Sequence, residues 1–278
     1  MSSRFEFLGS TAIGQYIPRH TWFHQRDPRA RLIAFLFLIA ALIFTPDFIG
    51  MAIGFGAVVL IYITAKLPVK DTWNGIKHAL PFILILGLLQ IVFSRPSDPE
   101  PVLFRVLGLA VTYPNVISAG LLVLRFIVLI SHLNALVMSL STSQISTAIF
   151  HMFKPLEKLG FPINDLTMVV QITLRYLPLV ALMAEKTAKA QASRGGDWEQ
   201  KGFNPIRQAK RVLPLIVPII VSSLKRAETM ALAMESRGFN AAQERSSYYT
   251  LDFKVPDALL VLGALLAGVL VLLSGRLF

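Results

Sequence analysis

No cysteine occurs among the 278 residues. That excludes a disulfide framework and any thiolate metal site. Charge is scarce too: 15 % of residues are Asp, Glu, Lys or Arg, against about 25 % in a soluble domain. The shortage is concentrated. No charged residue interrupts 32–46, 48–65, 79–94 or 258–274. The uncharged stretch 106–124 is broken only by Thr112, Tyr113, Pro114 and Asn115. A helix needs ~20 residues, with a range of about 17–25, to cross ~30 Å of hydrocarbon. The blocks therefore read as membrane helices, not as the core of a soluble protein.

Further absences narrow the function. No G-x-x-x-x-G-K-[ST] phosphate loop is present, and "SRGGDW" at 193–198 lacks both the lysine and the glycine spacing. No G-x-S-x-G nucleophile elbow occurs. A polytopic membrane enzyme would bring acids, bases or metal ligands together near one membrane face, and the apolar blocks contain almost none. A stand-alone channel or carrier would show repeated spans or intramembrane ionisable groups. Here Arg125 qualifies, with His132 and Asn134 on the same span, and Arg125 is expected to face protein because charge at mid-bilayer is costly. The histidines are His20, His24, His78, His132 and His151. His20 and His24 have ligand spacing, but no Glu or Cys completes a set, and Pro18 and Pro28 oppose a regular helix. No metal site and no catalytic residue are expected.

What the chain does have is positive charge, +11 net, placed unevenly. Residues 1–31 carry five Arg against Glu6 and Asp27, and 141–255 carry fifteen Lys or Arg against nine acids. Lys66, Lys70 and Lys77 face only Asp71, whereas 45–47 has no cation. The positive-inside rule then places the N-terminus and 141–255 in the cytoplasm. Topology accounts for the charge, and no nucleic-acid partner is expected. The first thirty residues hold aromatics, prolines and scattered charge, so no cleavable leader is expected and the first span acts as insertion signal. Gly50 and Gly54 form a small-xxx-small pair suited to helix packing. Trp22, Trp73 and Trp198 suit interfacial anchoring or packing.

The expected fold is an all-α polytopic membrane protein. Five spans fall near 31–46, 48–65, 79–94, 115–140 and 256–275, and 102–112 forms a hairpin or a partial re-entrant segment. The domains are 1–140 with four spans, 141–255 as a cytoplasmic helical insert, and 256–278 as the last span. Ser141 or Ser143 caps a short amphipathic helix that ends before Gly160-Phe161-Pro162. Asn164 or Asp165 caps a second helix running to Ser193. Asn204 with Pro205 starts a third running to about Ser236.

The second and third helices of the insert repeat each other. "RYLPLV" (175–180) matches "RVLPLI" (211–216), and Pro178 and Pro214 are expected to kink their helices. "EKTAKAQASRGGDW" (185–198) and "ETMALAMESRGFN" (228–240) share E-x-x-A-x-A-x-x-S-R-G in register. The proline-to-arginine intervals, 178 to 194 and 214 to 237, differ by seven residues, close to two helical turns. Two arms of unequal length thus keep nearly the same angle between proline and arginine. Ala190 and Ala233 leave room for close approach. Arg194 and Arg237 complement the helix dipole and offer a rigid fork of donors. Gly195 and Gly238 suit the left-handed closing position.

These segments, with "GQYIPRHTWFHQRDPRAR" (14–31) and "HMFKPLEKLGFPINDLTMVVQITLRYLPLV" (151–180), give the chain a family likeness over nearly its whole length. It resembles the transmembrane T component of energy-coupling factor importers, relatives of ABC transporters. Cobalt and nickel importers have a closely similar subunit. The resemblance implies two coupling helices whose Ala-Arg-Gly-like tips dock on two ABC-type ATPase subunits. Here Ser193-Arg194-Gly195 and Ser236-Arg237-Gly238 would be those tips, with Ser where Ala is common. Asp27, Pro28 and Arg29 match the family's N-terminal motif. A substrate-binding S component and membrane lipid would be the other partners. The cargo would be a vitamin or cobalt or nickel, imported across a bacterial or archaeal cell membrane. This chain would be a non-catalytic subunit holding no cofactor, with ATP and Mg bound by the ATPases.

Overall fold

The computed structural model describes residues 16–45, 47–93, 102–106, 109–194, 205–239 and 251–277. The chain divides into two compact units, one of 14–160 with 251–278 and one of 161–250 with 1–13. Both are helical. An antiparallel hairpin of β1 (Val102–Val106) and β2 (Leu109–Thr112) is the only sheet among the described residues, which resolves the hairpin-or-re-entrant alternative.

In the larger unit, α1 (Pro28–Phe44) begins where local chemistry requires. Asp27 is its N-cap, accepting the Arg29 N–H at 2.8 Å, and Pro28 sits in the first turn, where a missing N–H is no loss. α2 (Phe48–Ala65), α3 (Val69–Phe93), α4 (Tyr113–Ser139) and α8 (Val255–Leu277) complete the bundle. Contacts fix their directions. α1 and α8 are parallel: Asp27 meets Asp257 at one end, and further along a Cβ on Gly268 would lie 2.7 Å from Phe37. α4 is antiparallel to α1, since Arg31 donates to the Ser139 carbonyl at 2.8 Å and Arg125 to that of Thr45. α3 and α4 are antiparallel, with Gly75 against Asn134 and Gly87 against Val123. Gly50, near the start of α2, abuts Ser274 near the end of α8. One face therefore gathers the starts of α1, α3 and α8 and the ends of α2 and α4.

By length and apolar composition, α2, α3, α4, α8 and α6 (Ile163–Ser193) can each cross a membrane. The expected set had α1 in place of α6. α1 has 17 residues, about 25 Å of helix, yet it is the centre of the unit. Phe35, Leu38 and Leu42 are 1 %, 4 % and 1 % exposed. The other helices of the unit turn Ile63, Leu88 and Leu262 outward, as helices do against lipid, where such faces carry no penalty. Gly50 and Gly54 bring α2 close to its neighbours, as the small-xxx-small pair anticipated.

α5 (Thr142–Phe153) is capped by Ser141 in a reciprocal box with Gln144. It packs on α1 and belongs to the larger unit, which runs through Gly160. A 3-10 turn, Lys154–Leu159, closes on Gly160 at φ +88°.

The smaller unit pairs α6 with α7 (Pro205–Ser236). Both helices continue through their prolines, Pro178 in one and Pro214 and Pro218 in the other. The expectation that Asn164 or Asp165 caps α6 is corrected. The helix starts at Ile163 behind Pro162, and both residues lie in its first turn, where Asp165 complements the dipole. Asn204 lies outside the described residues.

Candidate functional site

The two arms end differently in detail and alike in outcome. α7 closes with the Phe239 N–H donating to the Met234 carbonyl at 3.0 Å and the Gly238 N–H to that of Glu235 at 2.9 Å. Gly238 has φ +73°. This is a Schellman closure, and glycine is the residue that adopts its left-handed position without strain. It puts Arg237 at the last helical step with its side chain exposed. α6 ends at Ser193, and the Arg194 N–H bonds back to the Gln191 carbonyl at 3.2 Å. Gly195 lies outside the described residues.

The shared residues behave alike. Ser193 Oγ donates to the Lys189 carbonyl and Ser236 Oγ to that of Ala233, both at 3.0 Å. Neither hydroxyl is spent on an outside partner. Ala190 and Ala233 are exposed, which leaves a shallow surface beside each arginine. Neither Arg194 nor Arg237 has a side-chain hydrogen bond or ion pair to another described residue. A guanidinium carries a rigid fork of donors suited to carboxylates and carbonyls. Lys189 does pair with Glu185 one turn back. Leu232 occupies the matching place after Glu228 on α7, so that pairing belongs to one arm only.

The N-terminal motif sits in the other unit, and here the structure gives it a role. Asp27 and Asp257 form a clamp where α1 and α8 begin. Asp257 is 3 % exposed. Its Oδ1 accepts the Asp27 N–H at 3.1 Å, and its Oδ2 accepts the Lys254 N–H at 2.9 Å, at the start of its own helix. Arg26 Nη1 stands 3.9 Å from Asp257. Arg29 reaches across to the Leu251 carbonyl at 3.1 Å. Asp27, Pro28 and Arg29 therefore tie the first helix to the segment that leads into the last one.

Sequence reasoning missed two members of this face. Asp257 was readable as an acid in a first helical turn, but its partner lies 230 residues away. Arg31 counted only as one of the five arginines of 1–31, at the start of the expected first span. It is 1 % exposed and also reaches Gln144 Oε1 at 3.4 Å, joining α1, α4 and α5. His24 lies on a turn, with Nδ1 2.7 Å from Thr21 Oγ1. Burial, with the charges of Arg31 and Arg19, holds its imidazole below the ordinary value.

The sequence matches the CbiQ family model, described as cobalt transport protein, over residues 19–249. It is 31 % identical over 250 residues to the energy-coupling factor transporter transmembrane protein EcfT of Leuconostoc gelidum subsp. gasicomitatum, covering 90 % of this chain and 91 % of that one. The EcfT protein of Listeria innocua is 29 % identical over 259 residues, with 93 % and 96 % covered. That of Bacillus subtilis is 30 % identical over 268 residues, with 93 % and 98 % covered.

Proposed function

This chain belongs to the CbiQ/EcfT family of transporter transmembrane proteins, and from that premise we propose that it couples two ATPase subunits to a substrate-binding S component. It is the multi-pass transmembrane component of an energy-coupling factor transporter. The observation that carries the coupling role is the pair of exposed arginines, Arg194 and Arg237, at two helix ends built from one repeated motif. Two like tips suit two like subunits. The chain has no phosphate loop of its own, so ATP and Mg belong to those partners. Closure of the ATPases on ATP would lever α6 and α7, and the proline positions would set where the arms bend. The apolar faces around Leu177 and Val217, 50 % and 51 % exposed, are the surface offered to the S component. A vitamin, or cobalt or nickel, is the cargo.

Parity supports a cytoplasmic place for the arms. α4 ends and α8 begins on the same face of the bundle, since Arg31 holds Ser139 and the next turn down Asp27 holds Asp257. The segment between must cross the membrane an even number of times. Among its described residues only α6 has the length and apolar character of a span. α7 carries Lys225, Arg226, Glu228 and Glu235 and cannot provide the return. The even number is therefore zero, and the positive-inside rule makes that face cytoplasmic.

The test is the Arg194→Ala/Arg237→Ala double variant, purified with its ATPase subunits. A buried arginine anchor is worth about 2 kcal/mol or more at an interface, so each single change should weaken docking by about 30-fold, and the pair should release the ATPases or uncouple uptake from hydrolysis. Retained co-purification and uptake in the double variant would overturn the proposal. The absence of cysteine allows a direct check of sidedness. Ser193→Cys and Ser236→Cys should each label only from the cytoplasmic side.

A further inference from the structure

A groove of about 510 Å³ runs between α1, α2 and α8. That lies within the roughly 300–1,000 Å³ range of ligand sites. Its walls are almost wholly apolar, with Phe35 and Leu38 from α1, Ala57 and Leu60 from α2, and Leu260 and Ala264 from α8. Two further lining residues are glycines of a particular kind. A Cβ on Gly50, Gly54 or Gly268 would strike a neighbouring helix, but a Cβ on Gly56 or Gly263 would meet nothing within 4 Å. These two do not serve helix packing. They leave the trough open.

The groove has a direction. On α2 it extends from Thr64, one residue before the helix end, back to Ile53. Eleven residues of helix are about 16 Å, and one leaflet is about half of the ~30 Å hydrocarbon. The groove therefore spans a single leaflet, on the side where α1 and α8 begin. At its mouth stands Trp22, 52 % exposed, with the Arg26 guanidinium 4.8 Å from its ring centroid. Beside Thr64, Arg19 donates to the Lys66 carbonyl, and both side chains are exposed. The acids here, Asp27 and Asp257, are buried. Asp257 accepts two backbone N–H groups and stands 3.9 Å from Arg26, and Asp27 accepts the Arg29 N–H, so the exposed charge at the mouth is that of Arg19 and Lys66. An apolar trough one leaflet deep, opening onto an interfacial tryptophan among Arg19, Arg26 and Lys66, has the chemistry of an anionic amphiphile.

We propose that this groove binds one acyl chain of an anionic phospholipid, with its phosphate held among Arg19, Arg26 and Lys66. The lipid fills the trough that Gly56 and Gly263 keep open, and completes the packing of α1 on its lipid-facing side. This site is separate from the docking tips and does not depend on the coupling role.

The experiment uses the full chain carrying Trp73→Phe and Trp198→Phe, so that Trp22 alone reports. It is placed in phosphatidylcholine nanodiscs doped with an equal mole fraction of either chain-brominated phosphatidylglycerol or chain-brominated phosphatidylcholine. A juxtamembrane cation favours an anionic lipid by about fivefold, so the brominated phosphatidylglycerol should quench Trp22 at a mole fraction at least about fivefold lower. Adding Gly56→Leu/Gly263→Leu should reduce both lipids to the same weak quenching, and those positions have room for the added side chains. Arg19→Gln/Lys66→Gln should leave quenching but remove the preference. Equal quenching by the two lipids in the parent, or a preference that survives the filled groove, overturns the proposal. So does shielding of Trp22 from both lipids when the ATPase and S subunits are assembled, which would assign the groove to a protein.

Discussion

Replacing Asp257 with alanine tests the clamp most directly. The carboxylate is 3 % exposed and accepts two backbone N–H groups, at 3.1 and 2.9 Å. Its removal leaves the Asp27 N–H buried without a partner, at about 1–3 kcal/mol, and uncaps the part-buried Lys254 N–H at the start of α8, at about 1 kcal/mol. Arg26, whose side chain is 14 % exposed and 3.9 Å away, loses its counter-charge as well, adding about 1 kcal/mol. The sum is about 3–5 kcal/mol. In a chain of this size it should lower the Tm of the detergent-solubilised protein by roughly 10 °C. Asp257→Asn keeps one acceptor but turns an amide N–H toward the other donor, so it should fall between wild type and Asp257→Ala. Asp252, exposed five residues earlier, is the control, and Asp252→Ala should be silent. If Asp257→Ala melted within about 2 °C of wild type, the clamp would not hold α1 to α8 and the reasoning would fail.

Two other expectations follow from the same contacts. Gly50→Ala would place a Cβ 2.3 Å from Thr45, 2.6 Å from Ser274 and 2.9 Å from the Val271 carbonyl, an overpacking that should cost about 1–3 kcal/mol. Gly56→Ala meets nothing and should be neutral or slightly stabilising through helix propensity, which paired thermal melts would show. His24 is held below its ordinary value of 6.5 in the folded chain, so the unfolded chain binds a proton that the native chain refuses. Stability should then fall as pH drops below about 6.5 and level off once native His24 protonates. His24→Gln should flatten that slope in pH-dependent melts, and an unchanged slope would remove His24 from the account.

The apolar blocks were legible in the sequence to within a residue or two where lipid alone sets the pattern. α2 was expected at 48–65 and is Phe48–Ala65. α3 was read as 79–94 but starts at Val69, because its first turns carry Lys70, Asp71 and Lys77 and stand clear of the apolar run. Tyr113 and Pro114 looked like a break, yet they open α4, since proline is tolerated in a first turn. The arm ends at Ser193 and Ser236 were readable because a repeated local motif and glycine chemistry mark them. The clamp was not readable. It pairs Asp27 with Asp257, and nothing local in either segment names the other. Likewise α1 looked like an ordinary flanking span, and only packing makes its face the most enclosed. An alternation of charged and apolar residues reports contact with solvent, whereas a buried carboxylate that accepts a distant backbone N–H reports tertiary proximity, which no window of sequence contains.

The clamp also bears on how the protein is made. α1 leaves the ribosome well before the carboxylate that secures its first turn, which is translated some 230 residues later. Until α8 inserts, α1 has Arg31 and α4 to hold it but lacks the parallel neighbour against which Phe37 and Ala41 pack. Biogenesis of the membrane portion cannot finish helix by helix. It must wait with an incomplete bundle while the segment between α4 and α8 is synthesised, and a late insertion closes the packing around α1.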